Sequence, residues 1–146
     1  RNLQTEQGLT CLFISHDMKT VARISGRIGV LFRGELVETG KTRSVCTDPW
    51  HPYTKQLLLS VPAPDPLRAG RRKGIPFREK STELPDRDGR AHKGCSFAES
   101  CPYAMDCCRE ETPDSYVFGE RTVKCFLYSE EHSGRRAEGY KMTSQI

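Results

Sequence analysis

The sequence holds 146 residues with a formal net charge of +4, 36% hydrophobic and 29% charged, which suits a soluble domain on the polar side of average. That length allows one domain, or part of a domain plus a small module. No run approaches the roughly 20 apolar residues of a membrane span, and no secretory signal is visible in this stretch.

The chain begins at Arg1 without an initiator Met, and its first residues already read as part of an element, which suggests a fragment. Gly8 to Ser15 is a continuous apolar run after a glycine, and predicts a strand buried on both faces of a parallel sheet. Asp17 to Ile24 follows with mostly helical spacing at Met18, Val21, Ala22 and Ile24, and Asp17 suits a first turn. Arg27 to Phe32 is a second apolar run, Arg33-Gly34 a turn, and Glu35 to Glu38 resumes the extended pattern, which Gly40 closes. A short helix is expected from about Arg43 to Thr47, stopped before Pro49. A longer one is expected over Tyr53 to Ser60, with Pro52 near its start and Pro62 past its end.

Composition changes at Pro62. The run Pro62-Ala63-Pro64-Asp65-Pro66 cannot continue a helix. Residues 67 to 93 then hold nine Lys or Arg against four Asp or Glu, with no sustained periodicity. They read as a solvated linker; few aromatics are present to stack on bases, so nucleic acid is not expected as a partner. The expected organisation is residues 1–62 as the last third of an α/β domain, 63–93 as a Pro-rich basic linker, 94–128 as a small irregular cysteine-rich module, and 129–146 as a polar tail.

Two constellations carry chemistry. His16 follows the predicted strand and precedes the predicted helix, the place where open α/β sheets bind ligands. Its imidazole could meet a phosphate oxygen or hold a water; a structural turn residue fits the bare sequence as well. Ser15-His16-Asp17 is no protease triad, because three adjacent residues cannot line up nucleophile, base and orienter. His51, between Trp50 and Pro52, reads as a packed turn residue.

Five of the seven cysteines lie between Cys95 and Cys125, in the pattern Cys95-x5-Cys101-x6-Cys108-x16-Cys125, with Cys107 beside Cys108. The odd count argues against a secreted disulfide scaffold. Four thiolates suit a tetrahedral zinc or a cubane iron–sulfur cluster; disulfides or unrelated free thiols are the alternatives. The short Cys-x2-Cys knuckles common in zinc sites are absent, which tilts the reading toward a cluster.

Several separated segments resemble one family, in the family's order. Leu12-Phe13-Ile14-Ser15-His16-Asp17 looks like the switch loop of ABC ATPases. Residues 21–31 and 34–40 match the continuation of that domain. His51-Pro52-Tyr53-Thr54 is similar to the marker of the oligopeptide/dipeptide importer ATPases, and the cysteine pattern is similar to their C-terminal extension.

The resemblance covers residues 1 to about 128. It implies an incomplete C-terminal part of an ABC ATPase domain followed by a metal-binding extension. By position His16 would contact the γ-phosphate of ATP and help hold the attacking water. Cys95, Cys101, Cys108 and Cys125 would hold a [4Fe-4S] cluster, with Zn2+ as the alternative; Cys107 could replace Cys108. The parent subunit would use ATP and Mg2+ and pair with a second ATP-binding subunit, identical or paralogous. It would energise two membrane-spanning permease subunits, served by a peptide-binding protein, at the cytoplasmic face of the bacterial membrane.

The family usually has Asp where this chain has Gly26, and often His where it has Phe126. These 146 residues contain no Gly-x-x-x-x-Gly-Lys-Ser/Thr phosphate loop, Walker B carboxylates or signature segment, so the piece alone is expected to be inactive as an ATPase. The rival reading is a free-standing metal-binding interaction module without ATPase activity.

Overall fold

The computed structural model describes residues 6–60 and 93–131. The predicted linker and most of the predicted polar tail lie outside the described residues.

The fold is mixed α/β. Helix α1 (Met18–Ile24) starts where predicted, because the Asp17 side chain accepts from the Lys19 N–H at 2.9 Å and from the Thr20 hydroxyl at 2.5 Å. Strands β1 (Arg27–Phe32) and β2 (Glu35–Lys41) form a hairpin around Arg33 and Gly34, both at positive φ. Helix α2 (Thr42–Thr47) follows directly, and α3 (Pro52–Leu59) begins with Pro52, whose missing N–H costs nothing in a first turn. In the second described stretch come the one-turn helix α4 (Cys107–Glu110) and the hairpin β3 (Ser115–Phe118) and β4 (Arg121–Lys124).

The two stretches share one sheet. Its order is β1-β2-β4-β3, and every pairing is antiparallel, with Glu38 opposite Val123 and Thr39 opposite Thr122. The hairpin of the cysteine-bearing segment thus extends the sheet begun by β1 and β2. Between Val30 and Leu31 the register slips by one, leaving Val37 as the extra residue on β2. A bulge of this kind breaks strict alternation, and here consecutive Val37 and Glu38 are both buried.

One apolar core joins Ile28, Val30, Val37 and Val45 to Met18, Val21, Tyr53 and Leu57, so the three helices cover the β1–β2 hairpin. A second gathers Val123, Cys125, Leu127 and Tyr128 with Trp50, Tyr103 and Tyr116.

The expected buried strand over Gly8 to Ser15 is corrected by the structure. The run takes no strand conformation; Leu12 is 90% and Ile14 82% exposed. The expected parallel sheet is likewise replaced by an antiparallel one. The physical reason is the same for both: an apolar strand is buried by neighbouring strands on both sides, and none of the described strands pairs with this run.

Candidate functional site

His16 lies at the turn between the exposed apolar run and α1, and is itself exposed. Its neighbour Asp17 is committed to the helix cap: it accepts from Lys19 and Thr20, and its own N–H donates to Ser15 Oγ at 3.0 Å. The hydrogen bonds from Thr20 and Lys19 hold the Asp17 carboxyl below its usual range, the Thr20 hydroxyl having the largest effect. The carboxylate is therefore engaged in starting α1, and among the described residues nothing is shown orienting the His16 ring.

The cysteine segment is folded around short turns. Gly94, at φ +103°, brings the chain against the backbone of Cys108 and Arg109, and the Cys95 N–H donates to the Cys108 carbonyl at 2.8 Å. Local backbone bonds then close a turn after each of the other cysteines or before it: Ala104 N–H to Cys101 O, Cys108 N–H to Met105 O, and Tyr128 N–H to Cys125 O. This arrangement brings Cys95, Cys101, Cys108 and Cys125 within electrostatic reach of one another.

Burial, helped by the neighbouring Cys108 and Cys95, pushes the Cys101 thiol up to about 12. Burial raises Cys125 strongly as well, with Cys101, Cys95 and Cys108 adding to it. Burial also raises Cys95 and Cys108. Against this, backbone N–H groups favour each thiolate: those of Phe97 and Ala98 at Cys95, Tyr103 at Cys101, Leu127 at Cys125, and Met105 at Cys108, the last at 3.5 Å.

Burial and mutual repulsion disfavour the thiolates while backbone N–H groups favour them, and a bound positive centre would offset the first two. Cys107 differs: among the other cysteines only Cys108 perturbs it.

Among the described residues no three His, Cys, Asp or Glu side chains are placed to grip one metal ion. A single zinc draws its thiolates to about 2.3 Å from one point. A cubane cluster binds each thiolate at a different iron and needs them further apart. Four thiols in one neighbourhood are the donor types of either centre.

Beside the cysteines lies a buried polar knot absent from the sequence reading. Glu38 is 1% exposed. Its carboxylate accepts from the Trp50 N–H and the His51 N–H, each at 2.9 Å, and from the Arg121 guanidinium at 2.6 Å. Arg121 also donates to the Asp48 carbonyl at 2.7 Å and lies 3.8 Å from the centre of the Trp50 ring. His51 caps α3, its Nδ1 accepting from the Tyr53 N–H at 3.1 Å, and burial lowers its pKa to about 3. A charged residue in the extended pattern at 35–38, where the bulge turns it inward, was the available signal for Glu38. Nothing in the local sequence pointed to a partner 83 residues away.

No helix among the described residues is long and apolar enough to cross a membrane. Residues 37–108 match the family described as the C-terminal region of oligopeptide/dipeptide transporters. A Brucella abortus (strain 2308) protein named as a peptide import ATP-binding protein is 43% identical over 128 residues, 88% of this chain and 36% of that protein. Two Bacillus subtilis (strain 168) proteins named as oligopeptide transport ATP-binding proteins are 41% and 39% identical. They cover 88% and 87% of this chain, and each is matched over 38% of its own length. The chain therefore spans little more than a third of the length of these relatives.

Proposed function

We propose that the chain, whose residues 37–108 match the C-terminal region of oligopeptide/dipeptide transporters, belongs with its peptide-import ATP-binding relatives and is part of the subunit that energises ABC-type import of di- and oligopeptides. The observation that carries the reading is the 43% identity to a peptide-import relative over 88% of the chain, together with the family match over residues 37–108.

In the complete subunit ATP and Mg2+ bind between two such subunits, and His16 meets the γ-phosphate and holds the attacking water. Its exposure at the start of α1 leaves it accessible for that contact. The subunit works at the cytoplasmic face of the bacterial membrane, peripheral through two permease subunits that receive peptide from a binding protein. These 146 residues contain no phosphate loop, so isolated they turn over no ATP.

Cys95, Cys101, Cys108 and Cys125 hold a [4Fe-4S] cluster, a reading supported by the backbone N–H donors at each sulfur and by their mutual influence. Such a cluster would supply the positive charge that lets buried sulfurs ionise, and would tie together the turns that carry the four cysteines.

The test of transport function uses the full-length subunit reconstituted with its permease partners. His16→Ala is expected to cut ATP turnover by about 10²–10³, the usual loss of one group stabilising transition-state charge; unchanged turnover would sink the role. For the cofactor, the chain purified without oxygen is expected to carry iron and acid-labile sulfide in equal amounts. Cys108→Ser should lose both while Cys107→Ser keeps them. Zinc without sulfide would overturn the cluster.

A further inference from the structure

Two arms of the cysteine segment close on one turn of the ATPase-like part. The first is Phe97, which lies between Cys95 and Cys101 in the chain and is 3% exposed. Its ring meets Phe32 at 5.2 Å, Tyr53 at 5.6 Å and His51 at 5.8 Å between centroids. The second arm flanks Cys125. Four residues before it, Arg121 lies against the Trp50 ring and pairs with Glu38. Three residues after it, Tyr128 stacks on Trp50 at 5.4 Å and donates its hydroxyl to the Trp50 carbonyl at 3.2 Å.

Glu38 holds the other end of the same turn through the N–H groups of Trp50 and His51. Each arm therefore depends on where a cysteine sits, and both end on Trp50-His51-Pro52-Tyr53.

From this geometry we infer that occupancy of the cysteine centre is read out at the Trp50–Tyr53 turn, with Arg121 and Phe97 as positioning residues and the Glu38–Arg121 pair as the latch. The inference rests on the proposed cluster and adds a regulation to it. Ligands at Cys95, Cys101 and Cys125 fix the two arms. Loss of the centre, by oxidation or iron withdrawal, frees Phe97 and the Arg121–Tyr128 segment. Trp50 then loses its cover, and the start of α3 loses the partner of its buried acceptor. A coupling of this kind is defined by two sites and an element whose state both bias. Here that element is the turn entering α3.

The chain carries its own reporter, since Trp50 is its only tryptophan. The 146-residue chain, purified without oxygen, is titrated with an iron chelator and, separately, with an oxidant. Iron, sulfide, Trp50 emission and amide exchange at Trp50, His51, Ile28 and Val30 are followed together. The expected result is a red shift of Trp50 emission and loss of protection at Trp50 and His51 in step with cluster loss, while Ile28 and Val30 in β1 stay protected.

Cys101→Ser is expected to reproduce that state untreated, and Cys107→Ser to behave as the parent. Arg121→Lys is expected to keep iron and sulfide but expose Trp50. Cluster loss with Trp50 and His51 unchanged overturns the coupling and leaves the cluster reading standing. Simultaneous loss of protection in β1 also overturns it, because that is global unfolding. A chain that never holds iron and sulfide overturns the cluster reading and the inference with it.

Discussion

Replacing Arg121 with Ala removes one half of a buried ion pair. Glu38 has no exposed side-chain surface and Arg121 retains 11%, so solvent screens the pair little. Breaking such a pair from one side costs about 3–5 kcal/mol, since the remaining carboxylate stays buried and uncompensated. The guanidinium's contacts with the Trp50 ring and the Asp48 carbonyl go with it.

Against a total stability of about 5–15 kcal/mol, this is a large share. With an m value of about 2 kcal/mol/M, the urea midpoint should fall by about 2 M. Circular dichroism at the helix band gives a readout independent of Trp50.

The partner variant separates two origins of the loss. Buried ion pairs replaced on both sides by apolar residues are often neutral. Here the pair Glu38→Leu with Arg121→Leu would still orphan the Trp50 and His51 N–H groups, about 1–3 kcal/mol each. Both variants should therefore be destabilised. A cost below about 1 kcal/mol for Arg121→Ala, the value of an exposed surface pair, would refute the reasoning.

Two further outcomes follow from single residues. His51 is held neutral by burial, with a pKa of about 3 against an ordinary 6.5. The unfolded chain therefore binds the extra proton between those values. Stability should be fully present above pH 6.5 and fall as the pH drops below it, by about 1.4 kcal/mol per unit. Urea midpoints at pH 7 and pH 5 measure the slope, and His51→Asn should flatten it; an unchanged slope would assign the loss to other groups.

Gly94→Ala puts a Cβ 2.7 Å from the carbonyl oxygens of Cys108 and Arg109 at φ +103°. Strain of about 1–3 kcal/mol is expected, with reduced iron content because Cys95 is the next residue. Wild-type iron loading and thermal stability in that variant would contradict the close approach.

The helices and the first hairpin were legible because their signals are local. Asp17 ahead of a periodic run, Pro52 at a helix start and Gly34 in a turn each act within a few residues. The cysteine spacing was legible for a similar reason, since sulfur is scarce and its pattern stands out. The apolar run at 8–15 misled because hydrophobicity states what a segment would bury, and only neighbouring strands can bury it.

The Glu38–Arg121 pair was hidden because two charges far apart in a chain give no sign that they meet. The register slip at Val30 and Leu31, which turns Glu38 inward, is itself a property of the paired strands. His51 was read as a packed turn residue, which describes its place but not the carboxylate beneath its N–H.

The sheet order has a consequence for synthesis on the ribosome. β2 and β4 are neighbours in the sheet, yet the chain between them is long; closing a loop of 83 residues costs about 4 kcal/mol beyond a constant. Because synthesis runs from the N-terminus, β1 and β2 emerge as a hairpin whose inner edge stays open until Lys124 has been made. An open strand edge is a template for pairing with another chain. During that interval the nascent protein carries an aggregation hazard that the mature sheet hides, and the β3–β4 hairpin serves as its late-arriving cover.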